Sequence, residues 1–367
     1  MNTMKAAVFR QPHQPLTIED VDIDKPRGRE VLVRTVAAGV CHSDLHIVEG
    51  LSFRPLGDQG WVLGHESAGI VEAVGPDVTT IKVGDHVVGC LSGFCGACEQ
   101  CLSGHPNICS APIVARPAGE PSRLTQDGKA LGQFLNISGY AEQMLLHENS
   151  VVKVDDDLPL DKVAIVGCGV LTGAGAAMRT AGIQPGQTVA VFGCGGVGLS
   201  IIQGARIAGA RQIIAVDQFD SKLEMAKELG ATHTVNSTAE DAVEGVKRHT
   251  NGRGVDHSFE AVGIPVLVRQ AIESLGIRGT ATIVGVLPGN SMIEFPWLAI
   301  RPECKIQTSR MGSNRFKQDI PMLLDFYRQG RLRLDEMVSA HRELKDINDT
   351  FRAMKAGEVA RSVLMLG

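Results

Sequence analysis

The chain lacks a basic block, a long apolar run and an internal repeat, and each gap narrows what it does. Its 41 acidic residues outnumber its 36 Lys and Arg, giving a net charge of −5. Without clustered cations there is no footprint for a nucleic acid. The longest apolar stretch, Val163–Met178, contains four glycines and a threonine and falls short of a membrane span. Near the start, only Ala6-Ala7-Val8-Phe9 precedes Arg10, too little for a signal-peptide core. The expectation is a cytoplasmic protein without membrane or nucleic-acid partners.

What is present fits a folded chain. Apolar residues make up 44% and charged residues 21%, so disorder is excluded, and 367 residues suffice for two domains. The 42 glycines are scattered as punctuation, which suits tight turns. Nine cysteines in a long chain with no secretion signal point to metal binding in preference to disulfides. Cys90, Cys194 and Cys304 are assigned to packing.

From Met4 to about Gly89 the pattern is short apolar runs broken by Pro and Gly, with strand-like alternation in Val31–Val36. This predicts a compact, mostly β domain. Within it lies Cys95-x2-Cys98-x2-Cys101-x7-Cys109, in a lobe spanning 93–112. Four thiolates so closely spaced close around one tetrahedral Zn2+ and leave no position for chemistry, a structural site. Free or redox-active cysteines are the competing reading.

A second ligand set is dispersed. Cys41, His65 and Cys168 supply two thiolates and one imidazole, with Glu66 beside the histidine. Three protein ligands and an open fourth position make the catalytic form of a zinc site. Asp44 is placed to fix the tautomer of a ligating histidine. Against this, a lone Cys is usually a small buried hydrophobe and a lone His a hydrogen-bonded structural group.

At Thr188 the texture changes. The apolar run Thr188–Phe192 reads as a buried parallel strand. It enters Gly193-Cys-Gly195-Gly196-Val197-Gly198, then a helical stretch, then Gln212–Asp217, a second strand ending in an acid. Such glycines after a strand and before a helix let a dinucleotide pyrophosphate approach the helix N-terminus. Asp217 accepts from ribose hydroxyls and repels a 2′-phosphate, which favours NAD over NADP. Lys222 reads equally as a ribose contact or a solvated lysine. The βα rhythm continues to about residue 310 and predicts a doubly wound parallel sheet. Beyond it come helices, then Arg361–Leu366, read as a strand returning to the first domain. The nucleotide domain, 170–310, is thus an insertion between 1–169 and 311–367.

Across essentially its whole length the chain resembles the zinc-dependent alcohol dehydrogenases of the medium-chain dehydrogenase/reductase superfamily. Gly64-His65-Glu66, the four-cysteine lobe and Gly193–Gly198 stand in that family's order. The resemblance implies an α/β protein, with a GroES-like, mostly β catalytic domain and a Rossmann domain. It implies Cys41, His65 and Cys168 as catalytic zinc ligands, with Glu66 as an exchangeable fourth. Ser43 and His46 match the proton relay, and His42 and Arg361 the contacts to the cofactor pyrophosphate. Thr172, Val262, Val284 and Val286 match the nicotinamide site. The stretch from Ala111 to Tyr140 looks like the longer loop of the dimeric animal and plant branch, which implies a homodimer, with a tetramer as the alternative. Ser43 in place of Thr, and Leu91 in place of an aromatic residue, imply a roomier pocket suited to branched or aromatic alcohols.

The implied oxidoreductase reaction is alcohol + NAD+ ⇌ aldehyde or ketone + NADH + H+, with primary or secondary alcohols as substrates. An S-hydroxymethylglutathione dehydrogenase shares every motif. A non-catalytic NAD-binding relative would have lost ligands or relay residues that this chain keeps.

Overall fold

Alternation in Val31–Val36 reflects two cores, one on each side of the strand Glu30–Gly39 in the computed structural model, which describes residues 2–51, 59–111, 113–356 and 361–366. Val31 and Val33 enter a cluster with Val71, Val87 and Met144, while Leu32 joins Met4, Val8 and Leu145 on the other face. This strand pairs with Glu66–Val74, Gln143–His147 and Ser362–Met365 in a seven-stranded sheet.

Five further strands close into a barrel: Asn2–Phe9, Thr17–Ile23, Leu124–Gln126, Lys129–Gln133 and Trp61–Val62. Closure leaves no unpaired edge. The stretch 111–140, read from sequence as a loop, thus contains two strands; Pro112, which ends the expected lobe, lies outside the described residues. Gln126 pairs with Lys129 across Asp127-Gly128, both at positive φ, which is the two-residue hairpin turn such a dipeptide favours.

The second unit holds a six-stranded parallel sheet, in the order His233–Asn236, Gln212–Asp217, Thr188–Phe192, Val255–Glu260, Leu275–Ile283, Lys305–Thr308. Chain direction across the sheet reverses at Thr188–Phe192, so the crevice at the carboxyl end of that strand is where an open α/β sheet takes a ligand. The sixth strand was not anticipated from sequence. Among the described residues no single helix is long and apolar enough to cross a membrane.

The unit boundaries differ from the expected 169/170 and 310/311. One unit comprises Met1–Cys168, Arg315–Leu324 and Leu334–Gly367, the other Gly169–Asn314 and Asp325–Arg333. Residues 325–333 join the second because the Gln203 side chain brackets the backbone of Arg333, donating to its carbonyl at 3.2 Å and accepting from its N–H at 2.7 Å. The Arg333 guanidinium also donates to the Glu228 carbonyl at 2.8 Å.

The first unit is tied together by the buried carboxylate of Glu30. It accepts from Arg116 Nε and a terminal Arg116 nitrogen at 2.8 and 2.6 Å, and from Arg123 Nε at 2.7 Å. Burial pushes this carboxyl up, but the bonds from Arg116 and Arg123 outweigh it and leave it below the ordinary 4.5. Replacing Glu30 by Gln leaves the buried Arg123 guanidinium without its carboxylate, while Arg116 keeps Asp24 at 2.7 Å, and should cost about 3–5 kcal/mol in chemical denaturation. Because the folded value is depressed, this contribution is full above pH 4.5 and drains away as pH falls through the lower folded value. Wild type and E30Q should therefore converge in acid; a gap that persists there assigns the loss to packing.

Candidate active site

The strand Glu30–Gly39 runs through Val40 into Cys41, which caps the short helix His42–Val48; the Cys41 carbonyl accepts from the N–H groups of Asp44 and Leu45 at 3.1 and 3.3 Å. The helix was not expected from sequence. Leu45 and Ile47 anchor its buried side. Ser43 and His46, three residues apart, share a partly exposed face, and His42 is exposed in the first turn.

Asp44 points inward and is fully buried. Its Oδ1 accepts from the Gly64 N–H at 3.0 Å and lies 3.1 Å from His65 Nδ1. A carboxylate can only accept, so the proton sits on Nδ1 and the Nε2 lone pair points away. Gly64 has φ +89, and a Cβ there would meet Tyr140 Cδ1 at 2.5 Å, so only glycine fits this turn.

His65 Nε2 is buried and has no hydrogen-bond partner among the described residues. Ligand atoms of Cys41, His65, Glu66 and Cys168 all lie within 4.8 Å of one another, and all four residues are buried. A bond from the Cys168 thiol draws Cys41 well below the ordinary thiol value, and Cys168 rises in consequence. Two sulfurs, one directed lone pair and a carboxylate in a dry pocket match the donor set zinc takes. Burial pushes Glu66 up to about 8 against the pull of Arg361.

Arg361, expected at a pyrophosphate, is itself buried. It lies 3.2 Å from a Glu66 oxygen and donates to the Val40 carbonyl at 3.2 Å. The sequence reading missed this pairing, since nothing local links residues 66 and 361. It also missed Tyr140, whose hydroxyl donates to Asp44 Oδ2 at 2.9 Å. Leu91 packs partly against the Val31–Val33 core cluster, which weakens its use as evidence for a roomier pocket.

The four-cysteine lobe is a separate cluster. Sulfur–sulfur distances are 3.5 Å for Cys95–Cys109 and Cys98–Cys101, 3.7 Å for Cys98–Cys109 and 3.9 Å for Cys95–Cys101. A tetrahedron with metal–sulfur bonds of about 2.3 Å has edges of about 3.8 Å. All four thiols are free of disulfides. The backbone N–H groups of Ala97 and Cys98 donate to Cys95 at 3.4 and 3.3 Å, favouring its thiolate.

In the second unit the glycine turn has the geometry of a phosphate cradle. Gly195 caps the helix Gly196–Ile207, and a Cβ on Gly198 would fall 1.8 Å from the Gly193 carbonyl. Asp217 is pinned at the neighbouring strand end, accepting from the Cys194, Gln218 and Phe219 N–H groups at 2.7, 2.8 and 3.1 Å. The Lys222 ammonium lies 4.8 Å from the Phe219 ring centroid. Val262 and Val286 are exposed and Val284 half-buried, in turns braced by the buried Glu260, whose Oε1 accepts from the Val262 and Gly263 N–H groups at 2.8 and 2.6 Å. The sequence reading did not single out Glu260. Thr172 is buried, and its hydroxyl donates to the Met311 sulfur at 3.3 Å.

Two clusters predict two zincs per chain by elemental analysis. Cys98→Ser and Cys41→Ser should each lose one, from different sites. Two metals retained in either variant would show that cluster is not a zinc site.

Residues 27–156 match the alcohol dehydrogenase GroES-like domain, and residues 196–327 the zinc-binding dehydrogenase domain. The chain is 36% identical over 371 residues to an alcohol dehydrogenase class-3 of Zea mays, covering 99% of this chain and 97% of that one. A solved alcohol dehydrogenase zinc-binding domain protein from Burkholderia ambifaria is 38% identical with TM-score 0.93, covering 100% of this chain and 99% of that one. The benzyl alcohol dehydrogenase of Acinetobacter calcoaceticus is 34% identical with TM-score 0.92, covering all of both chains. With its two cysteine-bearing clusters and its dinucleotide turn, the chain belongs to the zinc-dependent alcohol dehydrogenases of the medium-chain dehydrogenase/reductase superfamily.

Proposed function

We propose that this enzyme interconverts a primary or secondary alcohol, aromatic or branched ones included, with its aldehyde or ketone at the expense of NAD, in the cytoplasm. The buried, unpartnered Nε2 of His65 facing two sulfurs carries the reading. Cys41, His65 and Cys168 would hold a zinc that would supply Lewis acidity at the substrate oxygen, and NAD would supply the hydride acceptor.

The chain's own residues do the rest. Cys41 and Cys168 as thiolates offset the charge of a dication, while Asp44 keeps His65 in the ligating tautomer. Arg361, 3.2 Å from Glu66, pulls that carboxyl back toward the anion that an exchangeable fourth ligand must be. Ser43 accepts the alcohol proton at Oγ as it gives up its own hydroxyl proton, and His46, on the same helix face, is the base that passes a proton on to solvent. Asp217 binds the adenosine ribose, and unpaired cysteines suit a reducing compartment.

A second reading, an S-hydroxymethylglutathione dehydrogenase, is favoured by identity to the class-3 relatives. Binding that tripeptide adduct calls for cations to meet its carboxylates. Arg116 and Arg123, in the 111–140 stretch, are already engaged by Glu30 and Asp24. That observation leaves the simple-alcohol reading first.

We propose a homodimer built on the open edge of Lys305–Thr308, the last strand of its sheet. Met292, Trp297 and Leu298 nearby in sequence are 78%, 80% and 83% exposed, an apolar density that a solvated surface does not maintain. Two such edges pair about a two-fold axis. Trp297→Asp with Leu298→Glu should halve the mass seen by light scattering; a wild-type monomer would refute the dimer.

A substrate panel from short aliphatic to benzylic alcohols, followed by NADH absorbance, should show turnover without glutathione. Formaldehyde oxidation that strictly requires glutathione would install the second reading. His46→Ala should lower kcat/KM on the order of 10²-fold, and His65→Ala should abolish turnover while NADH still binds by fluorescence titration.

A further inference from the structure

We propose that Tyr140 is a positioning residue for the metal site, fixing the Asp44 carboxylate so that it grips the His65 ring by Nδ1. The inference rests on the zinc reading above. Tyr140 is fully buried, and its hydroxyl lies 2.9 Å from Asp44 Oδ2 and 3.5 Å from the Gly39 carbonyl. Burial and the adjacent Asp44 charge push that hydroxyl well above its ordinary range, so it serves as a donor throughout the working pH.

The two carboxylate oxygens divide their work. Oδ2 takes the tyrosine proton; Oδ1 takes the Gly64 N–H at 3.0 Å and faces His65 Nδ1 at 3.1 Å. The torsion that turns a carboxylate is broad and soft. A donor on the far oxygen is therefore what stops Oδ1 from swinging off the imidazole.

The seat of the tyrosine is built from the same turn that carries the ligand. Its N–H donates to the Leu63 carbonyl at 3.0 Å, and the Gly139 N–H donates to the Gly64 carbonyl at 2.9 Å. Its own carbonyl accepts from Ala7 at 2.8 Å, and its ring meets Phe351 edge-on at 6.4 Å. The competing account is that the ring fills space and the hydroxyl is incidental. Tyr140→Phe separates the two, because it keeps the ring and deletes only the donor.

Holoenzyme and Y140F are mixed with dipicolinate, and the release of each zinc is timed. The four-cysteine zinc in the same chain serves as an internal reference. Zinc at Cys41, His65 and Cys168 should leave about 10–100-fold faster from Y140F, with the reference unchanged. Asp44→Asn should also speed release, and the double variant should be no faster than D44N alone, since both act through one carboxylate. Cobalt-substituted Y140F should show a shifted thiolate-to-metal absorption band.

A wild-type release rate in Y140F, equal loosening of both zincs, or independent effects in the double variant would each overturn the proposal. Zinc content of the wild type is measured first. A chain without zinc at Cys41 and His65 overturns the zinc reading and this proposal with it; two zincs with an unaltered Y140F rate overturn only the proposal.

Discussion

A lone pair aimed into a dry pocket is the constraint on which the first unit turns. Asp44 holds the proton on His65 Nδ1, so Nε2 carries the lone pair, and among the described residues it has no hydrogen-bond partner. Leaving such an atom buried and unmatched costs about 1–3 kcal/mol. Crowding Asp44, Glu66, Arg361 and two thiols into the same interior adds desolvation costs of several kcal/mol per ion. Structural zinc in zinc-finger peptides binds with about 10–16 kcal/mol at neutral pH, a scale large enough to offset both. The pocket therefore makes physical sense as a receptacle, and its helix, turn and returning strand serve to bring four ligand side chains together.

The second unit solves a different problem with backbone instead of side chains. Its glycine turn offers N–H groups and space, and the carboxylates of Asp217 and Glu260 mark where negative charge is wanted and where it is shielded. Asp217 lies half-buried at a strand end, available to hydroxyls and hostile to phosphate. Glu260 is fully buried and braces the turns that carry Val262 and Val286. Burial raises its carboxyl while the surrounding N–H groups pull it back.

How much of this the sequence disclosed depends on the range of each interaction. The Gly193–Gly198 turn and Asp217 were legible because strand, turn and helix are contiguous and each glycine has a local steric cause. The four-cysteine lobe was legible for the same reason. Cys41, His65 and Cys168 were readable as candidates only, since their convergence depends on a sheet that no local pattern specifies. Tyr140 and the Arg361–Glu66 pair were invisible, being contacts between residues some hundred and some three hundred positions apart. The two strands around Asp127-Gly128 carried a legible hairpin signal that the comparison with longer-loop relatives obscured. The sixth strand, Lys305–Thr308, has only four residues and an exposed pattern, too short for periodicity to reveal.

The strand Ser362–Met365 has a consequence for how the chain assembles as it is made. It completes the sheet beside Ala37–Gly39 and delivers Arg361 to Glu66, some three hundred residues after its partners are synthesised. Loop-closure entropy grows only slowly with such a separation, so the delay is kinetic and not thermodynamic. At ribosomal speeds of about 5–20 residues per second, the half-built metal pocket waits for tens of seconds. The intervening dinucleotide unit is nearly contiguous and can fold during that interval, so a chaperone acting on the nascent chain would find its client in the N-terminal half.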